Sequence, residues 1–164
     1  MTLRTAATRV TVKLALRDLT LVALTILLWL ASLRLEPGTS PWAVPVAIAA
    51  GVMIPVGGFL AHEWGHLIGA WASGARVHMS ASLWTLFLFD FRPGENSREQ
   101  FLSLSCGGFI ASALVVALLL AVLSPARLAD AIALGLTLLG VLATFVLEVP
   151  PAWRAYRKGV LPLL

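Results

Sequence analysis

Long stretches without a charge decide most of what this chain can become. Residues 19–33 are uncharged and apolar, and comparable runs lie within 42–73, 98–123 and 126–149. A soluble domain is about 25% charged, whereas this chain is 12% charged and 59% hydrophobic. A bilayer, and not a soluble core, can take up that much apolar surface. The expected fold is an all-α membrane protein with about four transmembrane helices, spanning 19–34, 42–73, 98–123 and 126–149. A short membrane-associated strand or hairpin is expected between the second and third, the whole forming a single integral membrane domain, 1–164. The first run is short: fifteen residues of helix cover about 22 Å of a core of about 30 Å. Snorkelling of Arg17 and Arg34 would close that gap. A cleaved signal peptide is the rival, but Ala31-Ser32-Leu33-Arg34 is a poor small-x-small site.

The punctuation between the runs is readable. Glu36-Pro37-Gly38-Thr39-Ser40-Pro41 is a turn, and Gly74 a helix C-cap. Pro55 with Gly57-Gly58 predicts a kink or break in the second run, which is long for one straight span. Arg76, His78, Ser80 and Ser82 alternate with apolar residues, a period of two that predicts a strand. Ser97 with Gln100 predicts a capping box and a helix from near Arg98. Small residues over Cys106–Ser112 permit close helix contact, with Cys106 read as a buried small residue. Ser124-Pro125 reads as an N-cap followed by proline at the first helical position.

The net charge of +4 is not gathered on one face, which argues against nucleic acid as a partner. It fits topology better. Arg4, Arg9, Lys13, Arg17, Arg76, Arg92, Arg98, Arg154, Arg157 and Lys158 fall on one side of four spans, and Arg34 and Arg127 on the other. Both termini of a multi-pass protein are then expected in the cytoplasm. Arg9, Lys13 and Arg17 also form a basic stripe at helical spacing, suited to a membrane surface. One cysteine excludes an internal disulfide.

Within the second run lies His62-Glu63-Trp64-Gly65-His66. On a helix the two histidines, four apart, share a face and can grip one zinc ion. Glu63 cannot share that grip but can reach a water at the metal as general base. Histidines packed for structure are the bland alternative. It is weakened by the depth of the motif, since ionisable groups in an apolar run are costly.

His62 to Ala70, then Gly74-Ala75-Arg76-Val77, resemble the motif helix and first membrane-associated strand of the site-2 protease family of intramembrane zinc metalloproteases. Cys106-Gly107-Gly108-Phe109-Ile110-Ala111 resembles the family's A-G-P-x-x-N element, so that the likeness covers roughly 42–123. Gly108 stands where the family has proline, Ala111 or Ser112 where it has asparagine, and no Asp-Gly supplies its late aspartate ligand. The resemblance implies hydrolysis of a peptide bond within or beside the bilayer, with Glu63 catalytic. A membrane protein or peptide is then the substrate. Arg76, His78, Ser80 and Ser82 are expected to contact it, the 76–82 strand holding it extended by strand addition. A non-catalytic relative that binds membrane partners is the alternative.

His62 and His66 need a third protein ligand, and Asp90, Asp130, Glu148, His78 and Cys106 are the candidates. Depth favours Glu148. Asp130 begins the last span on the opposite side, roughly 27 Å of helix away from Glu148. Glu148 stands next but one to Pro150, which can unwind the helix and turn the carboxylate inward. Asp90 is the next candidate.

Overall fold

The computed structural model describes residues 3–35, 38–159 and 161. The turn residues Glu36 and Pro37, and the side chains of Arg4 and Arg9, lie outside the described residues. Among the described residues, five α-helices and one hairpin follow in the order α1 (Leu3–Ser32), α2 (Ala43–Ala72), β1 (Val77–Met79), β2 (Phe89–Phe91), α3 (Arg98–Val122), α4 (Leu128–Leu147) and α5 (Val149–Lys158), with a 3-10 turn at Pro93–Glu95 before α3. Four helical segments are long and apolar enough to cross a membrane: Val10–Ser32, Ala43–Ala72, Arg98–Val122 and Leu128–Lys158. The chain is an all-α, four-span membrane protein with a small hairpin after the second span.

Size sorts the residues. Large side chains such as Leu19, Leu27, Leu118, Leu139 and Phe145 point outward, while Ala47, Ala50, Ala129 and Ala133 are buried between helices. Lipid tails are as apolar as leucine, so helices gain by bringing backbones close across small residues. Central α2 shows this on two sides. A Cβ on Gly51 would meet Ala129 O and the Ile132 side chain of α4, both at 2.7 Å. A Cβ on Gly65 would meet Ala111 Cβ and Gly107 O of α3, both at 2.5 Å.

The sequence expectations for α2 divide. Its C-terminus closes as read: Gly74 takes φ +69, its N–H bonds Trp71 O, and Ala75 N–H bonds Ala70 O. That is the Schellman arrangement, which glycine permits without strain. No break occurs at Pro55 or Gly57-Gly58, since α2 runs unbroken for 30 residues. Helices packed on several sides hold the turn that proline deprives of one hydrogen bond.

Four other expectations are corrected. α1 begins well before residue 19, so its apolar span reaches back to Val10. Arg17 turns inward instead of snorkelling, because Asp18 and the carbonyls of Leu83 and Thr85 receive its guanidinium. α4 begins at Leu128, not after a Ser124 cap: buried Asp130 accepts Ser124 N–H at 2.9 Å and Arg127 Nε at 2.6 Å, holding 124–127 as a turn. Cys106 is exposed, because Gly107 and Gly108 take the face of α3 that meets α2.

The capping box at Ser97 and Gln100 starts α3 as expected. β1 and β2 pair antiparallel, Val77 with Phe91 and Met79 with Phe89, and Ser80 N–H bonds Leu88 O. Their apolar face packs on Leu14, Leu67 and Leu88 and on Ala70, Phe101, Leu104 and Ala155. This seats the hairpin against the half of α2 that carries the histidines.

Candidate metal centre

α4 stops at Leu147 and α5 begins at Val149, leaving Glu148 at the junction. Pro150 and Pro151 lack the N–H groups that would continue the ladder onto Val146 and Leu147, so the helix is interrupted there. The junction delivers the carboxylate to α2. Glu148 Oε1 lies 3.1 Å from His62 Nε2, and Oε2 lies 3.3 Å from His66 Nε2. The two Nε2 atoms are 2.9 Å apart.

Each ring is oriented from behind. His62 Nδ1 faces Gly108 O at 3.1 Å and Ser112 Oγ at 2.7 Å, and His66 Nδ1 faces Leu104 O at 2.9 Å. Carbonyl oxygens only accept, so each Nδ1 carries a proton, and in the neutral ring each Nε2 then presents a lone pair. This is the outer-shell arrangement of metal-binding histidines. Two Nε2 atoms and a carboxylate turned on one another are held together either by a proton on an imidazole, as in an ion pair with Glu148, or by a metal ion among them. Glu148 Oε2 fits the second: it is buried, and although close to His66 it is out of line for a hydrogen bond. The residues present therefore fit a metal ion.

His62, Glu63 and His66 by themselves form a group that could hold a metal ion, with one donor atom from each within 4.8 Å of the others. Glu63 and Glu148 differ in their engagement. Glu63 lies beside His62 in sequence, is buried, and accepts Leu88 N–H through Oε2 at 3.5 Å. Glu148 straddles both Nε2 atoms, so its geometry is that of the shared donor, while Glu63 stands alongside.

The remaining sequence candidates are elsewhere. Arg76 N–H bonds Asn96 Oδ1 at 2.7 Å, His78 Nε2 pairs with Glu95 at 3.0 Å, and Ser80 and Ser82 bond each other. Among the described residues none of these four shows a hydrogen bond or ion pair to the histidine cluster. They occupy the outer face of the hairpin, opposite the apolar face. The His78 hydrogen bond, reinforced by Arg92, holds the exposed Glu95 carboxyl below its ordinary range. Asp90 is exposed and pairs with Arg92 at 3.1 Å, and Asp130 accepts Trp29 Nε1 at 2.8 Å in addition to its turn.

Two cavities meet at Glu148. One of about 830 Å³ lies between α2, α3 and α4, with Phe59, His62, Phe87, Val116, Leu136 and Glu148 in its wall. One of about 200 Å³ reaches His66 and Glu148 from the Phe101 and Pro151 side.

Sequence reading missed Asp18. Its carboxylate is buried in α1 and accepts Trp64 Nε1 at 2.9 Å and Arg17 Nε at 2.7 Å. The signal was present as a charged pair, Arg17-Asp18, at the edge of an apolar run.

Comparison with protein-family models, with curated proteins and with solved structures finds no match for this chain.

Proposed function

We propose that the chain is an intramembrane zinc metalloprotease, similar in mechanism to the site-2 proteases, that hydrolyses peptide bonds in transmembrane or membrane-proximal segments. The observation that carries this reading is the convergence of His62 Nε2, His66 Nε2 and the Glu148 carboxylate, with Glu63 alongside. Their spacings of 2.9, 3.1 and 3.3 Å are near the separation of about 3.3 Å between ligand atoms of a tetrahedral zinc. Three protein ligands of this type leave a fourth position for chemistry.

Zinc bound there would polarise the scissile carbonyl and favour ionisation of a water at neutral pH. His62, His66 and Glu148 would hold the ion, the two imidazole rings being fixed by Gly108, Ser112 and Leu104. Glu63 takes the proton of the attacking water on a carboxylate oxygen and passes it to the leaving amine. Its burial excludes bulk water from that exchange. The apolar cavity opening at His62 and Glu148 suits an apolar segment. Such a segment must unwind before its carbonyl is accessible, and the hairpin edge offers main-chain partners for the extended form.

The test is cleavage of a fluorogenic peptide with an apolar transmembrane segment, reconstituted with the protein in lipid vesicles. Wild type cleaves it, and Glu63→Gln retains zinc and loses cleavage by at least about 100-fold. Equal cleavage by Glu63→Gln would overturn the mechanism. No cleavage by wild type, with zinc bound, favours a non-catalytic protein that binds membrane partners.

A further inference from the structure

We infer that Arg17 and Asp18 are positioning residues: they strap residues 83–88 over the motif helix and so hold Glu63 in place. The consequence for catalysis rests on the protease reading, whereas the strap itself does not. Buried charges inside a span are costly, and Arg17 and Asp18 have side chains only 14% and 6% exposed. What they hold explains their place.

The connections form a closed ring. Trp64, adjacent to Glu63, donates its Nε1–H to Asp18 Oδ2 at 2.9 Å. Asp18 Oδ1 accepts Arg17 Nε at 2.7 Å. Arg17 Nη1 donates to the backbone carbonyls of Leu83, at 3.0 Å, and Thr85. Three residues beyond Thr85, Leu88 is fully buried against Leu14 and Leu67, and its N–H points at Glu63 Oε2. The ring thus leaves α2 at Trp64 and returns to it at Glu63.

The strap is needed because 81–87 holds itself poorly. Its internal hydrogen bonds, among the described residues, are side-chain turns, Trp84 N–H to Ser82 Oγ and Phe87 N–H to Thr85 Oγ1, both at 3.2 Å. Beyond the Ser80–Leu88 bond, it is tied to the body by Arg17 and by Phe87, whose ring meets Phe59 edge-on at 5.9 Å. A pair that merely joined α1 to α2 would need the Asp18–Trp64 bond and not the two carbonyl contacts of Arg17.

The experiment uses the full chain in lipid nanodiscs, with R17Q, R17K and D18N. Hydrogen exchange is read over 83–88 and over α2, alongside zinc content and the cleavage constants for the fluorogenic transmembrane peptide. In R17Q, exchange over 83–88 rises about tenfold or more, as the loss of two hydrogen bonds from a charged donor implies, while α2 stays protected. Zinc content is unchanged, kcat falls on the order of ten- to a hundredfold and KM stays within about twofold. R17K, able to reach one carbonyl, recovers part of both effects. Should R17Q not fold, R17K and D18N must show the same changes in smaller measure. Unchanged exchange over 83–88 in the folded variants overturns the strap, and faster exchange with unchanged kcat overturns the positioning of Glu63. If wild type does not cleave, or E63Q cleaves as wild type does, the protease reading fails while the exchange result still decides the strap.

Discussion

Gly108 shows how closely single residues are bound to the candidate metal centre. A Cβ at this position would overlap the His66 ring, while its own carbonyl receives the His62 Nδ1–H. One glycine therefore makes room for one histidine and orients the other. Gly108→Ala is expected to displace His66 and lower bound metal, measured as metal per chain after dialysis against a weak chelator. Gly135→Ala, in α4 with nothing within 4 Å of an added Cβ, should bind as wild type does. Ser112 supplies the other contact to His62 Nδ1, so Ser112→Ala should weaken metal affinity by roughly 10- to 100-fold, read by competition titration. The two histidines were legible because both lie in one five-residue motif. Glu148 was legible because acidic residues are few and a double proline follows it. Asp18 was not, since its partner Trp64 lies 46 residues away and no local pattern announces the pairing.

At the scale of elements, period-two alternation identified the hairpin but overstated its strand, which covers only Val77–Met79. Arg17 holds residues 83 and 85 by their carbonyls and draws the chain out of strand pairing. Ser80 bonds Leu88, so in antiparallel alternation His78 is also a bonded position and the N–H groups of Val77 and Met79 point to the other edge. Strand addition to that edge predicts that Val77→Pro removes an outward donor at the first strand position, where proline is tolerated. Cleavage should then fall with zinc retained and only the modest loss of stability that trimming Val77 from its apolar clusters brings, and His78→Pro, which also breaks the ladder to β2, should lower stability further. Cleavage equal to wild type in Val77→Pro would remove the edge from the account. The opposite end of the molecule gives a purely structural prediction. Asp130→Ala strands Trp29 Nε1, Ser124 N–H and Arg127 between α1 and α4, and should destabilise the fold by about 3 kcal/mol. That is the lower end for a buried pair, because Arg127 is 41% exposed. Thermal unfolding in detergent measures the loss, and zinc should stay bound.

Across the whole molecule, the number of spans was legible from uncharged length, but their ends were not. α1 starts earlier and α2 does not break, because packing against elements distant in sequence supports what local reading sends to lipid, while α4 starts later because Asp130 takes the Ser124 N–H and Arg127 into a turn. The same logic places chemistry inside the bundle. Small residues bring α2 against α3 and α4, two prolines interrupt the helix where Glu148 meets α2, and the hairpin lies over Glu63. Zinc per chain, measured by mass spectrometry on protein purified without added metal, tests the resulting claim most directly. The account predicts one zinc in wild type and in Glu63→Gln, and substoichiometric zinc in His62→Ala, His66→Ala and Glu148→Gln. Full zinc in Glu148→Gln, or none in wild type, would contradict it.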